Sequence, residues 1–310
     1  MSGNDNQSTW LVTGTSGFLG RNLLEILNNV INHRVITLGR QGMSDVNDKI
    51  VKGDFSELLF WNETIEKYNP NLILNLAGAT PPESDEKLWN ANYNWIPSLV
   101  KSLEMQAKPI KLVHVGSAAE LGEVPVSALP VAESNPAHPV SAYGKSKFAA
   151  TNTILNANLK ERPVVARLFN LCGPGQGTRQ AWGRYAAELY ASRNANKMTL
   201  NAFGLSSRRD FIDIRDAASA LIALANNHDS QGLYHVGRGS SHSIREGLDI
   251  LIQLSKLNVN IMEEPALNKG PGDSIADNRR IIRETEWRPL ISIEQSLSDL
   301  WQSLETRVAP

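Results

Sequence analysis

The chain is poor in cysteine, in net charge and in long apolar runs. Its 310 residues include one cysteine, Cys172. An intramolecular disulfide is therefore impossible, and a reducing cytoplasm is the expected setting. Nothing basic or helix-initial accompanies Cys172, so it reads as a small packed residue. Lys plus Arg number 31 and Asp plus Glu 32, a net charge of −1. Binding nucleic acid or an anionic membrane needs surplus positive charge, so neither is expected. No apolar run approaches the roughly 18 residues that suggest a membrane span. Met1 to Trp10 is polar without a basic stretch, which argues against a secretory leader. What remains is ordinary globular composition, 41% hydrophobic and 20% charged. The length suffices for one large α/β domain or two lobes.

The first half alternates short apolar runs with helix-like segments. Trp10–Val12, Arg34–Leu38, Lys49–Lys52, Asn71–Leu76, Ile110–Val115 and Val164–Leu168 read as strands. Phe18–Asn29, Ser56–Tyr68, Ser84–Ala107 (with Pro97 as a kink) and Tyr143–Leu159 read as helices. The strands are apolar nearly throughout, as in a parallel sheet covered on both faces. This pattern predicts an α/β fold with a doubly wound parallel sheet. After Asn170, Gly- and Pro-rich loops interrupt shorter helices at about 178–193, 215–227, 243–256 and 293–305, a smaller mixed α/β lobe.

Thr13-Gly14-Thr15-Ser16-Gly17-Phe18-Leu19-Gly20 follows the first strand and opens the first helix. In that context Gly14 makes the tight turn, Gly17 lets backbone N–H groups approach a pyrophosphate, and Gly20 lets the helix lie close to the sheet. The first part of the chain is thus expected to be a Rossmann domain, spanning 1–169 plus about 211–236. Residues 170–210 and 237–310 would form the substrate lobe. An NAD site wants an acid near the end of the second strand, where this chain has Gly39-Arg40. An arginine there can bind a 2′-phosphate, which favours NADP(H), with NAD(H) as the alternative. In that alternative Arg40 is a solvated residue and Asp45 or Asp54 supplies the acid.

Tyr143 and Lys147 lie four apart on a helix, hence on one face. A nearby ammonium stabilises a phenolate, and the same lysine can hold a ribose. Ser117 follows the Ile110–Val115 strand, at the carboxyl edge where open α/β sheets bind ligands. The trio suits hydride transfer to a ketone, with Tyr143 giving the proton.

These residues resemble the extended short-chain dehydrogenase/reductase family over nearly the whole chain. The resemblance rests on Gly14-x-x-Gly17-x-x-Gly20, Asp54, Leu76-Ala77-Gly78, Asn92, Ser117, Tyr143-x-x-x-Lys147 and Arg167-x-x-Asn170. Arg209-Asp210-Phe211-Ile212-Asp213, Tyr234-His235-Val236-Gly237 and Trp287-Arg288-Pro289 extend it. Gly116-Ser117-Ala118-Ala119-Glu120-Leu121-Gly122 looks most like the GDP-4-keto-6-deoxy-mannose reductase group. The resemblance implies catalytic roles for Ser117, Tyr143, Lys147 and Asn92, the last in a proton relay or in ordering the active-site helix. It implies cofactor contacts at Gly14, Ser16, Gly17, Phe18, Leu19, Arg40, Asp54, Phe55, Leu76, Ala77, Gly78, Tyr143, Lys147 and Phe169. Substrate contacts would come from Ser117, Ala118, Tyr143, Asn170, Leu200, Phe203 and Arg209. Asn92 could instead cap a turn, and Arg209 could pair with Asp213. Where relatives often carry Arg before a late Gly-Asp, as a second diphosphate clamp, this chain departs with Lys269-Gly270-Pro271-Gly272-Asp273.

Sugar dehydratases of the family need an acid–base pair just after the serine, and Ala118 and Ala119 cannot serve. GDP-fucose synthase uses a Cys and a His where this chain has Ala119 and Gly175. The expected reaction is NADPH-dependent reduction of the 4-keto group of a nucleotide-linked 4-keto-6-deoxyhexose. The alternatives are an NAD-dependent C4 epimerase and a non-catalytic NADP-binding regulator. No metal is expected. A homodimer through helices at about 88–107 and 143–160 is what the resemblance implies.

Overall fold

The computed structural model describes residues 8–29, 33–40, 50–195, 197–264 and 273–306. In chain order the first part runs β1 (Ser8–Thr13), α1 (Phe18–Asn28), β2 (His33–Arg40), β3 (Ile50–Gly53), α2 (Leu58–Tyr68), β4 (Leu72–Asn75), α3 (Asp85–Asn92), α4 (Ile96–Glu104), β5 (Lys111–Ser117), α5 (Ala142–Leu155) and β6 (Val164–Leu168). It continues through β7 (Asn170–Cys172), α6 (Ala181–Ala191), β8 (Met198–Phe203), β9 (Arg208–Asp213), α7 (Ile214–Asn226) and β10 (Gly232–Val236). The chain ends with β11 (Ser241–Ser243), α8 (Ile244–Ser255), β12 (Val259–Glu264), α9 (Arg279–Thr285) and α10 (Ile293–Thr306).

Seven strands form one parallel sheet in the order β10-β6-β5-β4-β1-β2-β3. From β1 the chain first moves outward to β2 and β3, then returns to β4 and builds the other half. The order therefore reverses between β1 and β4, and a crevice opens at the carboxyl ends of these strands. Helices cover both faces. One core joins Val12, Leu74 and Val113 to α1 and α7; the opposite core joins Leu11, Ile73 and Leu112 to Trp61, Trp95 and Ile154. Alternate residues of each strand thus enter different cores, which is why the strands are apolar on both sides. This is the expected doubly wound fold.

The second lobe holds the β11-β9-β7 and β12-β8 sheets and its own core, where Trp182 stacks on Phe211 with ring centroids 3.7 Å apart. Ile281 and Trp287 pack in the core shared with α1 and α7. The stretch around α9 therefore belongs with the large sheet, whereas the sequence reading puts 237–310 wholly in the substrate lobe. The reason is Trp287, whose indole donates to the Asp216 carbonyl (3.1 Å) and to Ser219 (3.0 Å) on α7.

The expected Ser84–Ala107 helix is two helices. The break falls at Tyr93 (φ −133°, ψ −50°), and Pro97 sits in the first turn of α4, where its missing N–H costs nothing. Helix α2 starts at Leu58 because Asp54 accepts the Ser56 amide (2.9 Å) and hydroxyl (2.7 Å) in a turn that precedes the helix. Helix α5 ends at Leu155 instead of Leu159. Among the described residues no helix is long and apolar enough to cross a membrane.

Candidate active site

The crevice at the carboxyl edge of the sheet is a cleft of about 720 Å³ between the two lobes. One wall is the glycine loop. Gly14 has φ +71°, and a Cβ there would stand 2.6 Å from the Leu76 carbonyl. A Cβ on Gly20 would stand 2.2 Å from the Gly14 carbonyl, so only glycine lets α1 lie this close. Gly17 is the N-cap of α1. It brings no side-chain cap, and the first turn carries no acid. The helix thus presents its first N–H groups, with the positive end of its dipole, beside a cleft lined by Gly14, Gly17, Phe18 and Leu19. An anion such as a dinucleotide pyrophosphate fits this cradle.

The floor is polar and rigid. Thr13 Oγ1 donates to Asn75 Oδ1 (2.7 Å), and the Ala77 amide donates to both (3.1 Å each). The Asn75 amide reaches His114 Nδ1 (2.8 Å), whose pKa burial holds well below 6.5, so the ring is neutral. These bonds fix the turn through Leu76, Ala77 and Gly78. Asn92, buried, accepts from the Ala79 amide (2.8 Å) and donates to the Ala79 carbonyl (3.1 Å) and to Ser146 on α5 (3.0 Å). It ties the loop after β4 to the helix that carries Tyr143 and Lys147.

Ser117 ends β5, and Tyr143 lies in the first turn of α5, capped by Ser141. The two elements meet closely because residue 144 is glycine: a Cβ there would stand 2.3 Å from the Ala119 carbonyl. The hydroxyl of Ser117 and the phenol of Tyr143 both face the cleft, near enough for Ser117 to act on the phenol's ionisation. Burial raises the Tyr143 pKa above 10, Ser117 opposes this, and the charge of Glu120 adds to it. Lys147 donates to the Val115 carbonyl. Burial lowers its pKa to about 8, against the pull of Glu120. The expectation that Lys147 depresses the Tyr143 pKa is therefore not met: the ammonium is anchored on the strand end, and burial governs the phenol.

A model of the NAD dependent epimerase/dehydratase family matches residues 10–237. The chain belongs to that family. Among curated relatives, dTDP-6-deoxy-L-talose 4-dehydrogenase (NAD(P)(+)) of Kitasatospora kifunensis is 30% identical over 308 residues, covering 95% of each chain. GDP-6-deoxy-D-mannose reductase of Pseudomonas aeruginosa is 27% identical over 316 residues, covering 96% of this chain and 97% of its own. A solved structure of RMD from Pseudomonas aeruginosa, complexed with NADPH, superposes with a TM-score of 0.83 at 25% identity, over 97% of this chain and 100% of that one.

In this family member the cleft brings together Gly14, Gly17, Phe18, Leu19, Leu76, Asn92, Ser117, Ala118, Tyr143, Lys147, Phe169, Asn170 and Arg209. Gly78 adjoins it, since a Cβ there would lie 4.0 Å from Lys147 Nζ. Other expected residues are elsewhere. The Phe55 ring is buried among Phe60, Trp61 and Trp95. Leu200 is buried in the second-lobe core because β8 turns that face inward. Phe203 lies under Arg184, 5.4 Å from the guanidinium, and outside the cleft lining. Asp54 is exposed, and its Oδ1 accepts from the amide and the hydroxyl of Ser56. Ser16 is exposed, and its carbonyl accepts from Arg21 (2.6 Å). Ala77 is held through its amide and is not part of the lining. Asp213 pairs with Arg215 (2.8 Å), not with Arg209.

The main chain of Arg40 ends β2 opposite Gly53. Its side chain, Asp45 and Lys269–Gly272 lie outside the described residues. Cys172 is buried beside Ser296 (3.3 Å), its thiol pushed up to about 12 by burial. The sequence reading missed Arg21, Thr80, Pro81, Arg179, Gln180 and Ser274, all of which line the cleft. Arg179 also pairs with Glu83 (3.0 Å) in the loop between β4 and α3. Apart from Arg21, which lies in the first turn of α1, their signal was position in the segments that follow a strand.

Proposed function

We propose that this enzyme uses NADPH to reduce the 4-keto group of a nucleotide-diphosphate-linked 4-keto-6-deoxyhexose. One observation carries the reading. The Ser117 hydroxyl and the Tyr143 phenol line the same cleft as the glycine loop, and the turn after Ser117 offers no free acid. Ala118 and Ala119 have no titratable group, and the Glu120 carboxylate is buried against Arg167. That leaves a proton donor for a ketone without the pair needed to expel water. The names of the two curated relatives, one a 4-dehydrogenase of a 6-deoxy sugar and one a 6-deoxymannose reductase, support the reading, as does the NADPH of the RMD complex.

Bound NADPH would supply the hydride. Gly14, Gly17, Phe18 and Leu19 would hold its pyrophosphate, and Arg40 its 2′-phosphate. Leu76, Gly78 and Phe169 would flank the rest. Arg209 and Asn170 would hold the diphosphate of the sugar nucleotide. Tyr143 gives its proton to the carbonyl oxygen, and its raised pKa keeps it protonated at neutral pH, as an acid in this direction must be. Ser117 polarises the same oxygen. Lys147, with a pKa of about 8, is mostly an ammonium at neutral pH and would donate to the nicotinamide ribose.

The test is incubation with NADPH and GDP- or dTDP-4-keto-6-deoxyhexose, following loss of reduced-nicotinamide absorbance. Consumption that Tyr143→Phe abolishes is the expected result. No consumption with any such sugar rejects the reading. Net interconversion of C4 epimers without added cofactor would replace it with an epimerase.

A further inference from the structure

Glu120 is fully buried, yet it is neither in the cleft nor idle. One carboxylate oxygen, Oε1, accepts the main-chain N–H of Ser117 (2.7 Å) and the hydroxyl of Thr151 (3.1 Å). The other accepts Arg167 Nε (3.2 Å) and Nη2 (2.9 Å) in a side-on ion pair. Arg167 spends its remaining arm on His235 Nε2 (3.1 Å), and His235 Nδ1 donates to the Val131 carbonyl (3.0 Å). Three elements meet at this carboxylate: the end of β5 at Ser117, α5 at Thr151 two turns beyond Tyr143, and β6 at Arg167. The Ser117 hydroxyl in turn accepts the Ala119 amide (3.2 Å), closing a reciprocal cap over the turn Ala118–Glu120. There is no slack in the packing, for a Cβ on Gly116 would stand 2.7 Å from Oε1.

We propose that Glu120 is a positioning residue: with Arg167 as its counter-ion, it clamps the Ser117 main chain to α5 from behind, and this sets the contact between the Ser117 hydroxyl and the Tyr143 phenol. The inference rests on the reduction proposed above for its effect on rate, but the clamp itself is a property of the chain. A surface carboxylate could not do this, because water would compete for both oxygens. A buried one has nowhere else to turn, and its charge is felt in the cleft. It works against ionisation of Tyr143 and in favour of the charged form of Lys147. The other charged or titratable groups near these three are Arg167 on β6, His235 on β10 and His114 on β5.

The experiment uses the full chain with Glu120→Gln and, separately, Thr151→Val, checked for wild-type circular dichroism. Glutamine keeps an acceptor for Ser117 but removes the charge; valine cuts only the tie to α5. In Glu120→Gln, kcat for NADPH-dependent reduction should fall at least tenfold. KM for the sugar nucleotide and Kd for NADPH should stay within twofold, and the alkaline limb of kcat should move to lower pH. Thr151→Val should lose several-fold in kcat with the limb unmoved. A second readout needs no substrate: the near-ultraviolet phenolate signal of Tyr143, isolated by subtracting Tyr143→Phe, should titrate at lower pH in Glu120→Gln.

If wild-type protein reduces no sugar but that titration moves, the clamp stands and the proposed reaction falls. If titration and kcat are both unmoved in folded Glu120→Gln, the inference is overturned. Should Glu120→Gln fail to fold, Thr151→Val decides: kcat within twofold of wild type overturns it.

Discussion

The ammonium of Lys147 donates to the main-chain carbonyl of Val115, two residues before Ser117 on β5. The lysine therefore stitches α5 to the sheet at the level where Ser117 enters the cleft. Burial lowers its pKa to about 8, and on α5 it stands one helical turn from Tyr143.

This fixes the sign of the pH dependence. Reduction needs an ammonium at Lys147 and a proton on Tyr143, and both are lost as pH rises. The kcat/KM for reduction should stay level through neutral pH and fall through about pH 8. Tyr143→Phe should cost roughly 100- to 10,000-fold in kcat while leaving NADPH binding in place. A rate that rises through the alkaline range, or a phenylalanine variant with normal kcat, would contradict the roles assigned here.

Two glycines separate binding from folding. Gly17→Ala adds a methyl that meets only the Gly14 carbonyl, at 3.3 Å, and φ −73° suits alanine. Its melting temperature should stay near wild type while Kd for NADPH rises about tenfold, as the methyl blocks the approach of phosphate. Gly20→Ala forces backbone against backbone, at 2.2 Å from the Gly14 carbonyl and 2.6 Å from Thr15 Cα. It should lose thermal stability even without dinucleotide. Thermal melts with and without NADPH distinguish the two.

The ratio of kcat/KM for NADPH over NADH should exceed one, and Arg40→Ala should reduce it about tenfold or more. A hydrogen bond to a charged group is worth about 1.5–3 kcal/mol, and about 1.4 kcal/mol is a factor of ten. Steady-state kinetics with both cofactors check this; an unchanged ratio would remove Arg40 from the 2′-phosphate site.

His235 should make the fold acid-sensitive. Burial, then the charge of Arg167, lowers its pKa from 6.5 to about 3, against the opposing effects of the Val131 carbonyl and Asp277. Between these values the unfolded chain binds a proton that the folded one refuses. Stability is then lost as pH falls below 6.5, by at most about 1.4 kcal/mol per pH unit from this group. Asp210, raised by burial from 3.8 to about 6, acts with the opposite sign between those two values. A comparison with His235→Gln isolates the histidine. Urea unfolding at several pH values should give the variant a flatter acid limb; equal slopes would show that His235 is not the group that titrates.

The alternation of strands and helices could be read from residue order because each parallel strand is buried on both faces, and so each is a short apolar run. The glycine loop and the Tyr143–Lys147 pair were legible for a similar reason. Backbone freedom at Gly14 and one-turn spacing on α5 are rules that act between near neighbours. The break at Tyr93 was not legible, since Pro97 looked like the fault and is in fact a helix start. The strands β7 and β11, of three residues each, have no periodicity long enough to read.

Only the tertiary structure decided which flanking residues face the cleft. Phe55 and Asp54 follow β3 as the family pattern asks, but one ring is drawn into an aromatic cluster and one carboxylate into a turn. Glu120 and Arg167 are 47 residues apart, and nothing in either neighbourhood announces their ion pair. Their meeting follows from β5 and β6 lying side by side, a contact between residues distant in the chain that no local preference encodes.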